Sequence, residues 1–258
     1  MLIASGDVVS HLADYEFLGP WFTAHHCLML LASGLMILIF RTLAPILQMR
    51  PSKSGFGSLI EVGLVFVRDE IVYSWIGEKK GRPMLFFFWT LFFWLLISNL
   101  IGLLPFPILN FWGRAATGNI VVTGSFALIA FCTIQWQGMK THGKGGYWVH
   151  LVPGGVPWWL WPLVWLIEVV GLLTKPFALM VRLFANMAAG HAILAVLFTF
   201  MMGVHHYSNH AVGGAATVAS LAFVLFIMLF ETLVALIQAY IFTVLTAIFV
   251  SMAVAEEH

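Results

Sequence analysis

Two apolar segments, 158–204 and 212–254, constrain the fold of this chain more than any other feature of its sequence. Each would exceed about 60 Å as a single α-helix, which is about twice the hydrocarbon thickness of a bilayer. Each segment is therefore either a pair of spans or one long, strongly tilted helix. A pair of spans needs a polar turn near its middle, and neither segment contains one. The sequence therefore favours two long helices.

The composition indicates an integral membrane protein. Of 258 residues, 61% are hydrophobic and 9% are charged, whereas a soluble domain carries about 25% charged residues. The net charge of +1 argues against a nucleic-acid partner.

The two cysteines, Cys27 and Cys132, lie in different apolar segments, so we expect them to be small buried hydrophobic residues rather than a disulfide or a metal pair. The first 25 residues lack Lys and Arg, so no cleavable signal peptide is expected.

The predicted fold is an all-α integral membrane protein, a single membrane domain over 1–258 with about five membrane helices and one interfacial helix. Charges between 58 and 77 interrupt any spanning run there, which indicates an amphipathic helix at the interface. The glycine-rich, polar stretch Gly138–Pro157 is expected to be a loop. The expected elements are an outer segment at 1–26, a first span at 27–45, an interfacial helix at 58–77, two spans within 84–137 and a tilted helical hairpin over 158–254.

The placement of basic residues predicts the orientation in the membrane. Cytoplasmic loops carry an excess of Lys and Arg. With the N-terminus outside and the C-terminus in the cytoplasm, only Arg114 falls in an outer loop. Nine basic residues then lie on the cytoplasmic side: Arg41, Arg50, Lys53, Arg68, Lys79, Lys80, Arg82, Lys140 and Lys144.

Polar residues inside the two long segments indicate an ion pathway. An arginine at bilayer depth, such as Arg182, costs roughly 2.5–3.5 kcal/mol on insertion scales, so it is retained for a functional reason. At 100° per residue, four polar residues fall within about 40° of one another on the first helix. They are Glu168, Lys175, Arg182 and Asn186.

The same spacing separates the remaining polar residues. His191 lies on the opposite side of the first helix from Arg182, and Glu231 and Gln238 share a face of the second helix. A histidine and a buried carboxylate are typical of proton relays. The alternative is that these groups only pair with each other and hold helices together. Such pairing would not need a fixed cation on one face of the helix and an imidazole on the other, so the pattern favours a proton pathway. A metal or haem site needs ligands from different helices at membrane depth, and of the histidines only His191 is expected to lie deep, so no metal or haem is expected.

Three stretches carry a resemblance to a known family. They are Val181–His191 (VRLFANMAAGH) preceded by Thr174-Lys175-Pro176, the stretch Glu231–Thr246, and Ser98–Pro105. Together they resemble subunit a of F-type ATP synthases, from about residue 84 to the C-terminus. The resemblance implies the membrane stator of a rotary ATP synthase, with two offset half-channels for H⁺. It implies no cofactor and no catalysis on ATP itself.

The resemblance also implies roles for individual residues. Arg182 matches the family's essential arginine, which faces a carboxylate of the rotor. Glu168 matches an acid near the cytoplasmic half-channel. The positions of Asn186, His191, Glu231 and Gln238 match the half-channel on the opposite side. Further candidates are Lys175, Tyr240 and Asn99.

His191 and Glu231 depart from the pattern of some bacterial members, in which the acid and the imidazole are exchanged. The exchange suggests that these two side chains act as a unit. The implied partners are the c-subunit ring, b-type peripheral stalk subunits, the F1 head through the stalk, and membrane lipid. The expected location is a bacterial cytoplasmic membrane, with the mitochondrial inner membrane as the alternative. A secondary ion transporter or antiporter, and a purely structural anchor, are the competing functions.

Overall fold

The structure, a computed structural model, describes residues 24–49, 55–103, 116–143, 145–150, 152, 155–204 and 210–255. Within these ranges the regular elements are helices, and no strand occurs. The predicted all-α fold class is therefore confirmed. The bounds of the longer helices are α1 Ala24–Met49, α2 Gly55–Phe66, α3 Leu85–Leu103, α4 Ile120–His142, α5 Gly146–His150, α6 Trp161–Val204 and α7 His210–Val254.

Four helices in the described ranges are long and apolar enough to cross a membrane. They are Glu78–Leu103, Ile120–His142, Trp161–Gly190 and Val218–Val254. A shorter apolar helix, His26–Arg41, lies within α1. The predicted set of about five membrane helices therefore corresponds to four long apolar helices and one shorter one.

The two longest apolar segments each form one continuous helix. α6 contains 44 residues and α7 contains 45, so each is about 66 Å long at 1.5 Å per residue. Pro176 lies inside α6 without ending it. Both helices exceed a hydrocarbon layer of about 30 Å, and a strong tilt remains the prediction for how they fit it.

The stretch predicted as an interfacial helix is helical but not uniformly α-helical. α2 is followed by a π-helical segment, Val67–Tyr73, and by short helical segments Ser74–Ile76, Glu78–Gly81 and Arg82–Met84. The wider π turn directs Val67, Ile71 and Val72 inward together. On its outer side Arg68 donates to Asp69 at 2.7 Å, which lowers the pKa of the Asp69 carboxyl. Its location at a membrane interface stays a prediction.

The loop expected over Gly138–Pro157 is partly helical, so that expectation is wrong at its start. α4 continues to His142, and α5 follows within the same stretch. The Tyr147 ring lies against Gly138 so closely that a Cβ at this position would overlap it. A glycine here does not mark a loop; it allows α4 and α5 to pack together.

The chain divides into two compact units, and parts of several helices belong to each. Unit 1 comprises 1–38, 94–119 and 183–238, and unit 2 comprises 39–93, 120–182 and 239–258. In unit 1, Trp94 Nε1 donates to Ser33 Oγ at 3.0 Å and links α3 to α1. In unit 2, Trp89 Nε1 donates to the Leu64 carbonyl at 2.9 Å and links α3 to α2. The single membrane domain over 1–258 stays a prediction.

Candidate functional site

Three of the predicted site residues form a cluster in unit 1, the buried polar cluster. Glu231 and Gln238 are buried in it, and Asn186 is its exposed member. Asn186 Nδ2 donates to Gln238 Oε1 at 2.9 Å, which joins α6 to α7. Gln238 is 2% exposed, whereas Asn186 is exposed, so the bond joins a buried side chain of α7 to an exposed side chain of α6. Hydrogen bonds between helices fix the rotation of each helix about its axis. The pair therefore sets which face of α7 is directed towards α6 in unit 1.

Glu231 lies two turns before Gln238 on the same face of α7 and is 8% exposed. Neither of its carboxylate oxygens has a hydrogen-bond partner among the described residues. Its carboxyl group packs directly on Gly190 of α6, where a Cβ would overlap Oε1. A buried acid without a fixed partner is a candidate for accepting and releasing a proton.

His191 follows Gly190 and is part of α6, but its side chain lies outside the described residues. The backbone places it next to the glycine that Glu231 contacts. The predicted pairing of His191 with Glu231 therefore stays a prediction.

Asn99, a further candidate, lies in a separate part of unit 1. It is fully buried and accepts a hydrogen bond from Thr117 Oγ1 at 2.7 Å. Its Nδ2 atom and the neighbouring Ser98 Oγ are buried without a partner in the described part of the chain. Asn99 thus joins the end of α3 to the turn before α4.

An open cavity in unit 2 contains two other predicted residues, Glu168 and Lys175 of α6. The cavity has a volume of about 280 Å³ and is lined in addition by α4, α5 and α7. This volume and lining are sufficient for several water molecules. Lys175 Nζ lies 5.0 Å from the centre of the Phe249 ring, within the range of a cation–π interaction. The cavity therefore holds one acid and one cation on the same face of α6.

The polar lining of the open cavity includes residues that sequence reasoning missed. They are Gln135, His142 and Tyr147. Burial raises the pKa of the Tyr147 hydroxyl, and its contact with Gln135 opposes this effect to a lesser extent. The stretch containing His142 and Tyr147 was expected to be a loop, and no pattern in it indicated that it would fold against α6 and α7.

Arg182 is exposed on α6, seven residues after Lys175. Among the described residues its guanidinium makes no hydrogen bond and no ion pair. Arg182 lies in the Trp161–Gly190 candidate span, where an uncompensated cation is costly. An exposed, unpaired arginine in a spanning helix requires an anionic or aqueous partner that these residues do not provide.

Tyr240, the remaining candidate, packs outside the polar sets. Its ring centre lies 5.7 Å from that of Phe66 in unit 2. Tyr240 is 39% exposed, which is consistent with an aromatic packing contact between α7 and α2.

Comparisons with known proteins give the family of this chain. The family described as ATP synthase A chain matches residues 26–251. The ATP synthase subunit a of Myxococcus xanthus is 41% identical over 201 residues, which cover 78% of this chain and 62% of that protein. The ATP synthase subunit a of Chloroherpeton thalassium is 39% identical over 238 residues, which cover 91% of this chain and 67% of that protein.

A third relative, ATP synthase subunit a 2 of Prosthecochloris aestuarii, is 37% identical over 240 residues. The aligned part covers 91% of this chain and 69% of that protein. The chain thus spans about two thirds of the length of these relatives, from 62% to 69%. Because the family match extends over most of the chain, with all of α6 and nearly all of α7, the chain belongs to the ATP synthase A chain family.

Proposed function

We propose that this chain is the stator subunit of a rotary ATP synthase, which guides H⁺ to and from a ring of c subunits through two offset half-channels. The observation that carries the proposal is Arg182, exposed in a spanning helix and unpaired among the described residues. A rotor carboxylate moving past α6 would supply the missing anion. The name of the relatives supports the same assignment.

The energetics of such a contact are suited to rotation. A carboxylate surrounded by lipid must be neutral, because a bare charge there is very costly. Arg182 would allow it to ionise as it passes. At 4 Å and an effective dielectric constant of 20 the attraction is about 4 kcal/mol. A proton crossing about 200 mV gains roughly 4.6 kcal/mol. The two are similar, so a hydrated, loose contact would release the rotor, whereas a drier one would trap it.

The two polar regions would supply the half-channels. Glu168 and Lys175 precede Arg182 along α6, and Asn186 and His191 follow it. We assign the open cavity to the cytoplasmic half-channel and the buried polar cluster, with His191, to the opposite one. Arg182 would prevent protons from passing directly between them, because a fixed cation repels them. Arginine suits this role because it stays protonated.

The partners and the location follow from this assignment. We infer that the chain assembles with a c-subunit ring, with b-type peripheral stalk subunits and, through the stalk, with an F1 head. We place it in a bacterial cytoplasmic membrane with the N-terminus outside and the C-terminus in the cytoplasm. The excess of basic residues in the predicted cytoplasmic loops supports that orientation. The family match gives no support to the transporter alternative.

The assignment is tested by Arg182→Ala in the assembled complex. Coupled ATP synthesis driven by a proton gradient should fall to background, while passive proton leak should rise. Arg182→Lys should also lose most coupled synthesis, because lysine is more strongly hydrated and lacks the guanidinium fork. Arg82→Ala is the matched control, since Arg82 is also exposed and belongs to neither the buried polar cluster nor the open cavity. Coupled synthesis retained in Arg182→Ala would refute the proposal.

A further inference from the structure

Gln135 of α4 is a buried amide whose polar atoms have no partner among the described residues. It is 8% exposed, and neither Nε2 nor Oε1 makes a hydrogen bond with the described part of the chain. The Tyr147 hydroxyl lies near the amide but not in position for a hydrogen bond. A side-chain amide offers both donors and an acceptor. Because burying such a group unpaired is unfavourable, Gln135 indicates a polar ligand beside it.

Gln135 lines the open cavity that also contains Glu168. Phe131 and His142 of α4 line it too, and their spacing from Gln135 places all three on one face of the helix. The volume of about 280 Å³ is sufficient for several water molecules, each of which needs about two to four polar partners. The rest of the wall is largely apolar and includes Leu172, Pro176, Phe249 and Met252. Water in this cavity would therefore be held at its few polar side chains.

Gly138 brings a second polar group to the same wall. The Tyr147 ring lies so close to Gly138 that a Cβ there would overlap the ring, and this Cβ would be 3.0 Å from Cζ, the atom that carries the hydroxyl. Gly138 is three residues after Gln135, on the same side of α4. Tyr147 is 5% exposed and also lines the cavity. The glycine thus allows a hydroxyl and an amide to lie near each other in one wall.

Glu168 has no fixed partner in the cavity. It is half-buried, and among the described residues it makes no hydrogen bond and no ion pair. The cation of the cavity, Lys175, places its Nζ 5.0 Å from the centre of the Phe249 ring. A carboxyl group that lacks protein donors is satisfied by ordered water where water has access. Glu168 therefore depends on water in the cavity for its hydrogen bonds.

We propose that Gln135 is a positioning residue that, together with the Tyr147 hydroxyl, holds hydrogen-bonded water in the open cavity and so connects Glu168 with the aqueous compartment on that side. This inference rests on the proposed function, in which the open cavity is a half-channel. An amide is suited to this role because it donates and accepts without ionising, so it can orient water for a proton moving in either direction.

The proton itself moves along the water. An O–H bond of a water beside Glu168 breaks, and its proton forms a new O–H bond with the carboxylate. That water takes a replacement proton from the next water towards the aqueous compartment. Gln135 gains and loses no proton in this step. Its contribution is to fix the position of the water that transfers one.

X-ray radiolytic footprinting of the assembled complex, in lipid nanodiscs, tests the structural part. Hydroxyl radicals formed from bound water oxidise the side chains next to it, so oxidation of the buried Tyr147 ring reports water in the cavity. Gln135→Leu keeps a similar volume without polar atoms. It should lower Tyr147 oxidation roughly fivefold, as for the loss of one hydrogen bond to the water. Gln135→Asn keeps an amide and should retain most of the oxidation.

Gln137→Leu is the matched control. It makes the same substitution two residues further along α4, at a half-buried position that is not part of the cavity lining. Tyr147 oxidation should be unchanged in this variant. The inference is overturned if Tyr147 is not oxidised in the unmodified complex, or if Gln135→Leu leaves the oxidation unchanged. It is overturned equally if Gln137→Leu lowers the oxidation as much as Gln135→Leu does.

ATP-driven proton pumping at equal complex content tests the functional part. Gln135→Leu should lower pumping about tenfold, because the water next to Glu168 loses its position, and Gln135→Asn should stay within about twofold of the unmodified rate. Gln137→Leu should have no effect. Full pumping in Gln135→Leu would refute the positioning role.

A double variant separates this role from simple loosening of the fold. If Gln135 holds the water that can replace Glu168, then Gln135→Leu with Glu168→Gln should lose about tenfold more pumping than the product of the two single losses. A loss equal to that product would refute the role. The inference and the proposed function fail separately, because footprinting does not depend on rotation and Arg182→Ala does not alter the lining of the cavity.

Discussion

The buried polar cluster and the open cavity hold acids in opposite surroundings. Glu231 is 8% exposed and is packed against Gly190. Glu168 is half-buried and faces a cavity of about 280 Å³. A packed acid depends on the exact position of its few neighbours, whereas an acid beside a polar cavity has access to water. The two regions should therefore differ in how far a single substitution disturbs proton transfer.

The largest expected effect separates the two acids directly. Glu231→Gln should lower ATP-driven proton pumping by about 100-fold, because a buried site has no substitute for a lost proton-transfer group. Glu168→Gln should lower it by only about threefold, because water in the cavity can carry the proton. Pumping is measured in inverted membrane vesicles at equal complex content. Equal losses in the two variants would mean that packing does not distinguish the regions.

Two glycines of α6 provide a smaller, matched comparison. A methyl group at Gly190 would overlap the Glu231 carboxyl, whereas Gly171 has open space around its missing Cβ. Gly190→Ala should therefore reduce pumping by about tenfold, since Glu231 must move away from its position. Gly171→Ala should leave pumping unchanged and raise helix stability by about 0.5–1 kcal/mol. Proton pumping in inverted membrane vesicles tests both variants. Unaltered pumping in Gly190→Ala would contradict the observed contact between Gly190 and Glu231.

The smallest expected effect concerns the hydrogen bond between Asn186 and Gln238. Asn186→Ala removes the 2.9 Å contact and leaves a buried Gln238 oxygen unpaired. Hydrogen bonds between membrane helices contribute about 0.6 kcal/mol on average and at most about 1.7 kcal/mol. The free energy of unfolding in mixed detergent should fall by about 0.6 kcal/mol. A loss above about 2 kcal/mol would show that the amide pair supports more than its own bond.

Hydrophobic pattern alone predicted most of the fold. The absence of a polar turn in either long segment correctly indicated continuous helices, now α6 and α7. The pattern between 58 and 77 indicated a helix but could not distinguish an α-helix from the π-helical turn at Val67–Tyr73. A π-helix differs from an α-helix only in that each backbone hydrogen bond spans one more residue. This change affects the direction of side chains such as Ile71 and Val72 but leaves the composition of the segment the same.

The site was predictable where it follows helix periodicity and was missed where it depends on packing between distant segments. Spacing along one helix placed Glu168, Lys175 and Arg182 on a common stripe, because 100° per residue is independent of tertiary structure. Nothing in the sequence indicated that Tyr147 packs on Gly138, or that His142 contacts the end of α7. Those contacts are made by the segment between α4 and α6 and by the end of α4. The high polarity and glycine content of this stretch had led us to expect a loop.

The central claim is that Arg182 faces an acid on another subunit, and disulfide cross-linking tests it most directly. With Cys27 and Cys132 replaced by serine, cysteines are placed at Ala178 and Ala185, exposed positions four residues before and three after Arg182. Matched controls are the buried Leu179 and Leu183, which are 2% and 0% exposed.

A second cysteine is placed beside the ionisable carboxylate of the c subunit, and the assembled complex is oxidised. The account predicts cross-links to that subunit from Ala178→Cys and Ala185→Cys, and few from Leu179→Cys and Leu183→Cys. Cross-links confined to the buried positions, or none from the face that carries Arg182, would contradict it.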